Sequence, residues 1–161
     1  SADEYRTLIR TLPSWIDKGR EGKSRDMRHL LRDYVLILAN TGIRHGTEAD
    51  NLRWKHITLF EEKGNVFLEM SVRGKTGRRD IICRSGTVNY LKRIQDWCPD
   101  VTDMSFEDLV KAKIDLPVFR LPDGTASQNL RQTFKRLMID TGLLVCPCTG
   151  QNRTICSFKH T

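Results

Sequence analysis

The spacing of apolar residues changes twice along this chain, and that double change is what limits its fold. Up to about residue 53 the apolar positions recur at helical spacing. Tyr5, Leu8, Ile9, Leu12, Trp15 and Ile16 form one stripe, opened by a capping-box pattern at Ser1–Glu4 and running to about Lys18, with a kink expected at Pro13. Met27, Leu30, Leu31, Tyr34, Val35 and Leu38 form a second stripe, with Ser24 as the expected N-cap and Gly42 as the C-terminal stop. A short third helix is expected over 47–53. From 65 to 73 the pattern switches to strict alternation: Val66, Leu68, Met70 and Val72 interleave with Phe67, Glu69, Ser71 and Arg73. Gly74-Lys75-Thr76-Gly77 reads as a turn and 78–83 as a returning strand; with 56–60 before them, these make a small antiparallel sheet. Helical spacing resumes over 87–97, 105–113 and 127–140, the last burying Leu130, Phe134, Leu137 and Met138. The segment 143–153 reads as a loop, and 155–161 as the start of a further element. The fold class is therefore α+β, mainly α, with a three-stranded antiparallel sheet set between helices.

A chain of 161 residues is long enough for one domain with a real core. No apolar run reaches membrane-spanning length and no signal peptide opens the chain, so the expected place of action is the cytoplasm. Its formal net charge is +7, an excess that suits a polyanionic partner, most simply nucleic acid. The five cysteines show no disulfide rhythm and are read as reduced. Cys146-x-Cys148, followed by Cys156, lacks the second pair of ligands that a zinc site needs, so no metal is expected.

Within this frame three basic residues occupy unusual places. Arg44 lies in a tight joint between two helices, in ILANTGIRHGTEADNLRW (37–54). Lys75 lies at a hairpin tip, and Lys159 lies in RTICSFKHT near Thr161. A surface arginine does not need so much fixed structure around it, whereas an arginine that must meet a phosphate at a set angle does.

These segments resemble, in order, the boxes of the tyrosine recombinases (phage integrase family). TGIRHGTEADNLRW resembles the first arginine box, GKTGRRDII the β-hairpin with the catalytic lysine, and RTICSFKHT the second box, commonly H-x-L-R-H-T or Y-S-L-R-H-T. The resemblance covers nearly the whole chain. It implies an α+β catalytic core, double-stranded DNA as substrate, other recombinase protomers as partners, bacterial or phage origin, and neither a cofactor nor a small-molecule substrate. A tyrosine attacks a backbone phosphate and forms a phosphotyrosine bond that a 5′-hydroxyl later resolves. Arg44, Lys75, Lys159 and His160 fall on the family's catalytic positions: arginine forks stabilise the charged transition state, and the hairpin lysine gives a proton to the leaving oxygen. Arg73, Arg78 and Arg79 are expected to contact phosphates around the tip.

The match also departs from the family. One extra residue, Thr47, precedes Glu48 in the first box. Lys159 stands in place of an arginine and so lacks the bidentate fork, and Cys156 replaces a histidine or tyrosine. The family's nucleophile would lie a few dozen residues beyond Thr161. Tyr5 and Tyr34 sit on apolar stripes, and neither they nor Tyr90 is expected to serve as nucleophile. The expectation is a single partial catalytic domain over 1–161, cut before its tyrosine helix, inactive alone, and with apolar surface left open around Ile155 and Phe158. Two other classes remain open: a degenerate module that binds DNA or a recombinase protomer without chemistry, and a basic helical domain that binds neither.

Overall fold

The computed structural model describes residues 1–126 and 130–156. Among these, three helices lead into the sheet and three follow it. The first, α1 (Ala2–Asp17), carries the expected capping box at Ser1 and Glu4 and continues through Pro13. The second, α2 (Lys23–Thr41), starts at Lys23 and not behind a Ser24 cap. Its N-cap is Gly22, at φ 94°, and the entry turn is held from outside, because the Arg25 guanidinium donates to the carbonyls of Asp17 and Gly19. Gly42 ends α2 in the left-handed conformation at φ 77°, as its position predicts, and donates to Leu38 O. A five-residue helix, α3 (Thr47–Asn51), follows at once.

The sheet has the order β1 (Ile57–Glu62), β2 (Asn65–Gly74), β3 (Gly77–Cys83), with both pairings antiparallel. Strand β1 begins one residue later than the expected 56–60 and runs two residues further. His56 belongs to a 3₁₀ turn (Trp54–His56), where its Nδ1 accepts from the Arg53 N–H at 3.1 Å. Such a side-chain bond offers the backbone an alternative to the ladder. The alternation of β2 is realised in burial: Leu68, Met70 and Val72 face the core with Ile57, Ile81 and Cys83.

Helices α4 (Thr87–Asp96), α5 (Phe106–Lys111) and α6 (Leu130–Asp140) complete the described set. Leu130, Phe134, Leu137 and Met138 are buried, as the stripe predicts; residues 127–129, where this helix was expected to begin, lie outside the described residues. Helix α2 is central, with Leu31 and Ile37 fully buried, and Arg93 of α4 donates to its buried Asp33 at 2.8 Å. Ile155 is only 2% exposed and packs into the core, so the expected open apolar surface is not found at this position; Phe158 lies outside the described residues. Cys83 and Cys98 are core thiols, while Cys146 and Cys148 sit in the loop before residue 153. Among the described residues no helix is long and apolar enough to cross a membrane.

Burial lowers the pKa of three histidines, His29, His45 and His56, and neighbouring cations (Arg32, Arg131 and Lys55 respectively) push in the same direction. A base whose folded pKa lies below its unfolded value of about 6.5 binds more protons when unfolded. Folding stability should therefore rise with pH from the folded-state pKa values up to about 6.5 and then level off. Urea midpoints measured at pH 5 and pH 7.5 check this; equal midpoints would contradict it.

Candidate nucleic-acid interface

The corner after α2 is anchored on both sides. Ile43 is 2% exposed and Trp54 is completely buried, so the chain between them has little freedom. Arg44 itself is exposed, and its side chain makes no recorded hydrogen bond or ion pair among the described residues. Its backbone N–H donates to Glu48 Oε2 at 2.9 Å. The structure fixes the backbone under Arg44, while among the described residues its guanidinium has no recorded hydrogen-bond partner.

Glu48 also ties this corner to the hairpin. The carboxylate is almost fully buried and accepts from Arg79 Nε at 3.0 Å and Arg79 Nη2 at 2.8 Å. The bonds from Arg79 and from the Arg44 N–H hold its pKa below the usual carboxylate value. Arg79 donates to Gly42 O as well. Gly74 lies so close that a Cβ there would stand 2.8 Å from Glu48 Cγ, which explains the need for glycine at this point of β2. Asn51 Nδ2 donates to Arg73 O at 3.1 Å and adds a further tie between α3 and the base of the hairpin.

The tip is Lys75-Thr76. Neither has positive φ; the left-handed position falls on Gly77, at φ 107°. A two-residue loop therefore joins the last β2–β3 pair, Gly74 and Gly77, with the positive φ carried by a glycine. Lys75 is exposed.

These ties bring Arg44 and Lys75, expected from the sequence to act together, to the walls of one open cleft of about 380 Å³. The other lining residues are His45, Gly46, Thr47, Glu48, Gly74, Thr76 and Arg131. Glu48 is the only acid among them, and it is committed to Arg79 and the Arg44 N–H. The cleft thus presents more cations than acids, with the Glu48 carboxylate held mainly by Arg79, a setting for an oxyanion.

The three hairpin arginines separate by strand alternation. Arg73 and Arg78 are directly opposed across β2 and β3 and share the outer face, where Arg78 Nε donates to Ser71 Oγ at 2.7 Å and pairs loosely with Asp80. Arg79 lies opposite Val72 on the other face and is spent on Glu48. Lys159 and His160 lie outside the described residues. The chain leading to them does arrive beside the cleft: Cys156 lines an adjoining groove together with His45 and Arg131.

His45 and Arg131 were not singled out by the sequence reading. His45 Nδ1 lies 2.6 Å from Tyr34 Oη, and Arg131 Nε donates to His45 Nε2 at 3.1 Å. An arginine can only donate, so His45 Nε2 is an acceptor and the ring proton of neutral His45 sits on Nδ1, facing Tyr34. The separation of 86 positions between His45 and Arg131 hides this contact from any local pattern. No family model, curated protein or solved structure matches this chain.

Proposed function

We propose that this chain is the body of a DNA-breaking and rejoining catalytic domain of tyrosine recombinase type, and that its cleft holds a backbone phosphate of duplex DNA. The observation that carries the reading is the convergence of Arg44 and Lys75 on one cleft whose single acid is already paired. They are 31 residues apart in sequence, and the resemblance assigns them complementary tasks on the same phosphate. Arg44 supplies a planar fork for non-bridging oxygens. Lys75, on the hairpin tip, gives a proton to the leaving 5′-oxygen in this reading. Lys159 and His160 complete the proposed set. Arg73 and Arg78 oppose each other across the strands with only the loose Asp80 pair beside them, which suits a phosphate contact near the tip. Arg79 serves in this reading to hold the corner and the hairpin together, with DNA contact at most secondary.

The nucleophile in this reading is none of the tyrosines present. Tyr34 is 1% exposed, with its oxygen held by His45; Tyr5 and Tyr90 are partly buried. Incubating these 161 residues with a nicked duplex should therefore yield no covalent protein–DNA adduct, and a trapped adduct would overturn this assignment.

A second reading shares the cleft without the chemistry: a module that binds DNA or a recombinase protomer. It is favoured by Lys159, whose ammonium cannot make the paired bonds of the family's arginine. Both DNA-binding readings require affinity that falls steeply with salt, with a log–log slope of about −0.9 per neutralised phosphate. Anisotropy of a labelled duplex, titrated from low to high salt, tests them together. Undetectable binding at low salt would reject both and leave a basic domain with no nucleic-acid partner.

A further inference from the structure

We infer that Arg131 is a phosphate-binding residue of the cleft, set in place by the His45–Tyr34 pair, and that it supplies a second guanidinium to the site. The inference rests on the phosphate-binding reading of the cleft and adds to it a residue that neither of the arginine boxes contains.

Three observations support it. Arg131 lies in the first turn of α6 as described and reaches the cleft wall formed by Arg44, His45 and the hairpin tip. It is exposed, and its one recorded hydrogen bond among the described residues, through Nε, goes to a neutral ring and not to a carboxylate. Its charge is thus uncompensated by any recorded ion pair, and its two Nη groups are left for a ligand. Tying an arginine by Nε alone orients the plane of the fork while preserving both terminal donors.

The support behind Arg131 is itself buried and ordered. Tyr34 is 1% exposed on central α2, and its oxygen lies 2.6 Å from His45 Nδ1. His45 adjoins Arg44 in the chain, so one rigid corner positions both guanidinium groups. Burial and the adjacent Arg131 charge lower the His45 pKa, which keeps the ring neutral and able to accept. Because Lys159 lacks the fork found at that position in the family, a second fork entering from α6 would restore bidentate recognition of a phosphodiester.

The test is duplex-DNA affinity at fixed low salt, with its salt slope, for the whole 161-residue chain, four variants at Arg131 and His45, and Arg44→Ala as the reference. Arg131→Ala is expected to weaken binding on the order of 10-fold and to reduce the slope by about one phosphate's worth. Arg131→Lys keeps the charge and should recover the slope but only part of the affinity. His45→Phe changes no formal charge, yet should weaken binding severalfold by freeing the fork, and His45→Gln, which restores an acceptor, should recover part of that loss. Melting temperatures of all four check that the fold persists; a variant that does not fold is replaced by Arg131→Gln or His45→Asn. If Arg44→Ala weakens binding while Arg131→Ala leaves affinity and slope unchanged, the inference fails and the reading of the cleft stands. If His45→Phe and His45→Gln bind like the unaltered chain, the positioning role fails. No binding by the unaltered chain at low salt removes both the inference and the reading beneath it.

Discussion

Arg44→Ala is expected to leave folding stability within about 0.5 kcal/mol of the unaltered chain while weakening duplex binding by roughly an order of magnitude. The two halves of this result follow from different atoms of one residue. The backbone N–H is the structural part: it bonds Glu48, and alanine keeps it. The side chain is exposed and has no recorded protein partner among the described residues, so its removal leaves no buried group unsatisfied. An arginine that capped the end of α2 would behave the other way round. Here that end is closed by Gly42, whose N–H bonds Leu38 O and whose carbonyl accepts from Arg79. Urea denaturation and anisotropy on the same preparations check both halves. A large loss of stability would return Arg44 to a structural role.

Glu48→Ala should have the opposite signature, a loss of about 2–3 kcal/mol in stability with DNA affinity falling as a consequence. The carboxylate is 3% exposed and satisfies three donors, the Arg44 N–H and two nitrogens of Arg79. Removing it strands the Arg44 N–H and opens a space against Gly74. Arg79 is 41% exposed and can turn to water, which places the expected cost below that of a fully buried pair. The pH signature distinguishes the pair further. The folded pKa of Glu48 is depressed, so its contribution is present above the unfolded value of about 4.5 and is lost as pH falls through the folded pKa. The alanine variant should therefore show a shallower acid destabilisation. An equal acid dependence would mean that the Glu48–Arg79 pair contributes little.

The frame of the fold was legible because it is written in short periods. The stripe of α6 and the alternation of β2 both name their buried residues, and the turn glycines mark where strands and helices stop. The differences arise where a side chain competes with the backbone. Arg25 binds the carbonyls before α2 and Gly22 takes the cap position expected of Ser24, while His56 binds Arg53 and delays β1. Ile155 looked like an exposed apolar residue only because the groove that receives it is formed by distant elements.

The candidate site was legible at Arg44 and Lys75, each of which sits at a punctuation mark between elements. Their meeting in one cleft is a tertiary fact. Alternation along β3 already implies that Arg78 and Arg79 point to opposite faces; what it cannot supply is Glu48 waiting on one of them. The pair of His45 and Arg131 left no local signal, since an arginine at the start of an amphipathic helix is common and its partner lies on another element.

The most direct test of the central claim is to map amide chemical shifts of the isotopically labelled chain as short duplex DNA is added at low salt. The account predicts that the largest changes gather at Arg44, Gly46, Lys75, Thr76 and Arg131, with smaller ones along the outer face at Arg73 and Arg78. Changes confined to the Lys63–Gly64 turn at the far end of the sheet, or absent altogether, would contradict it.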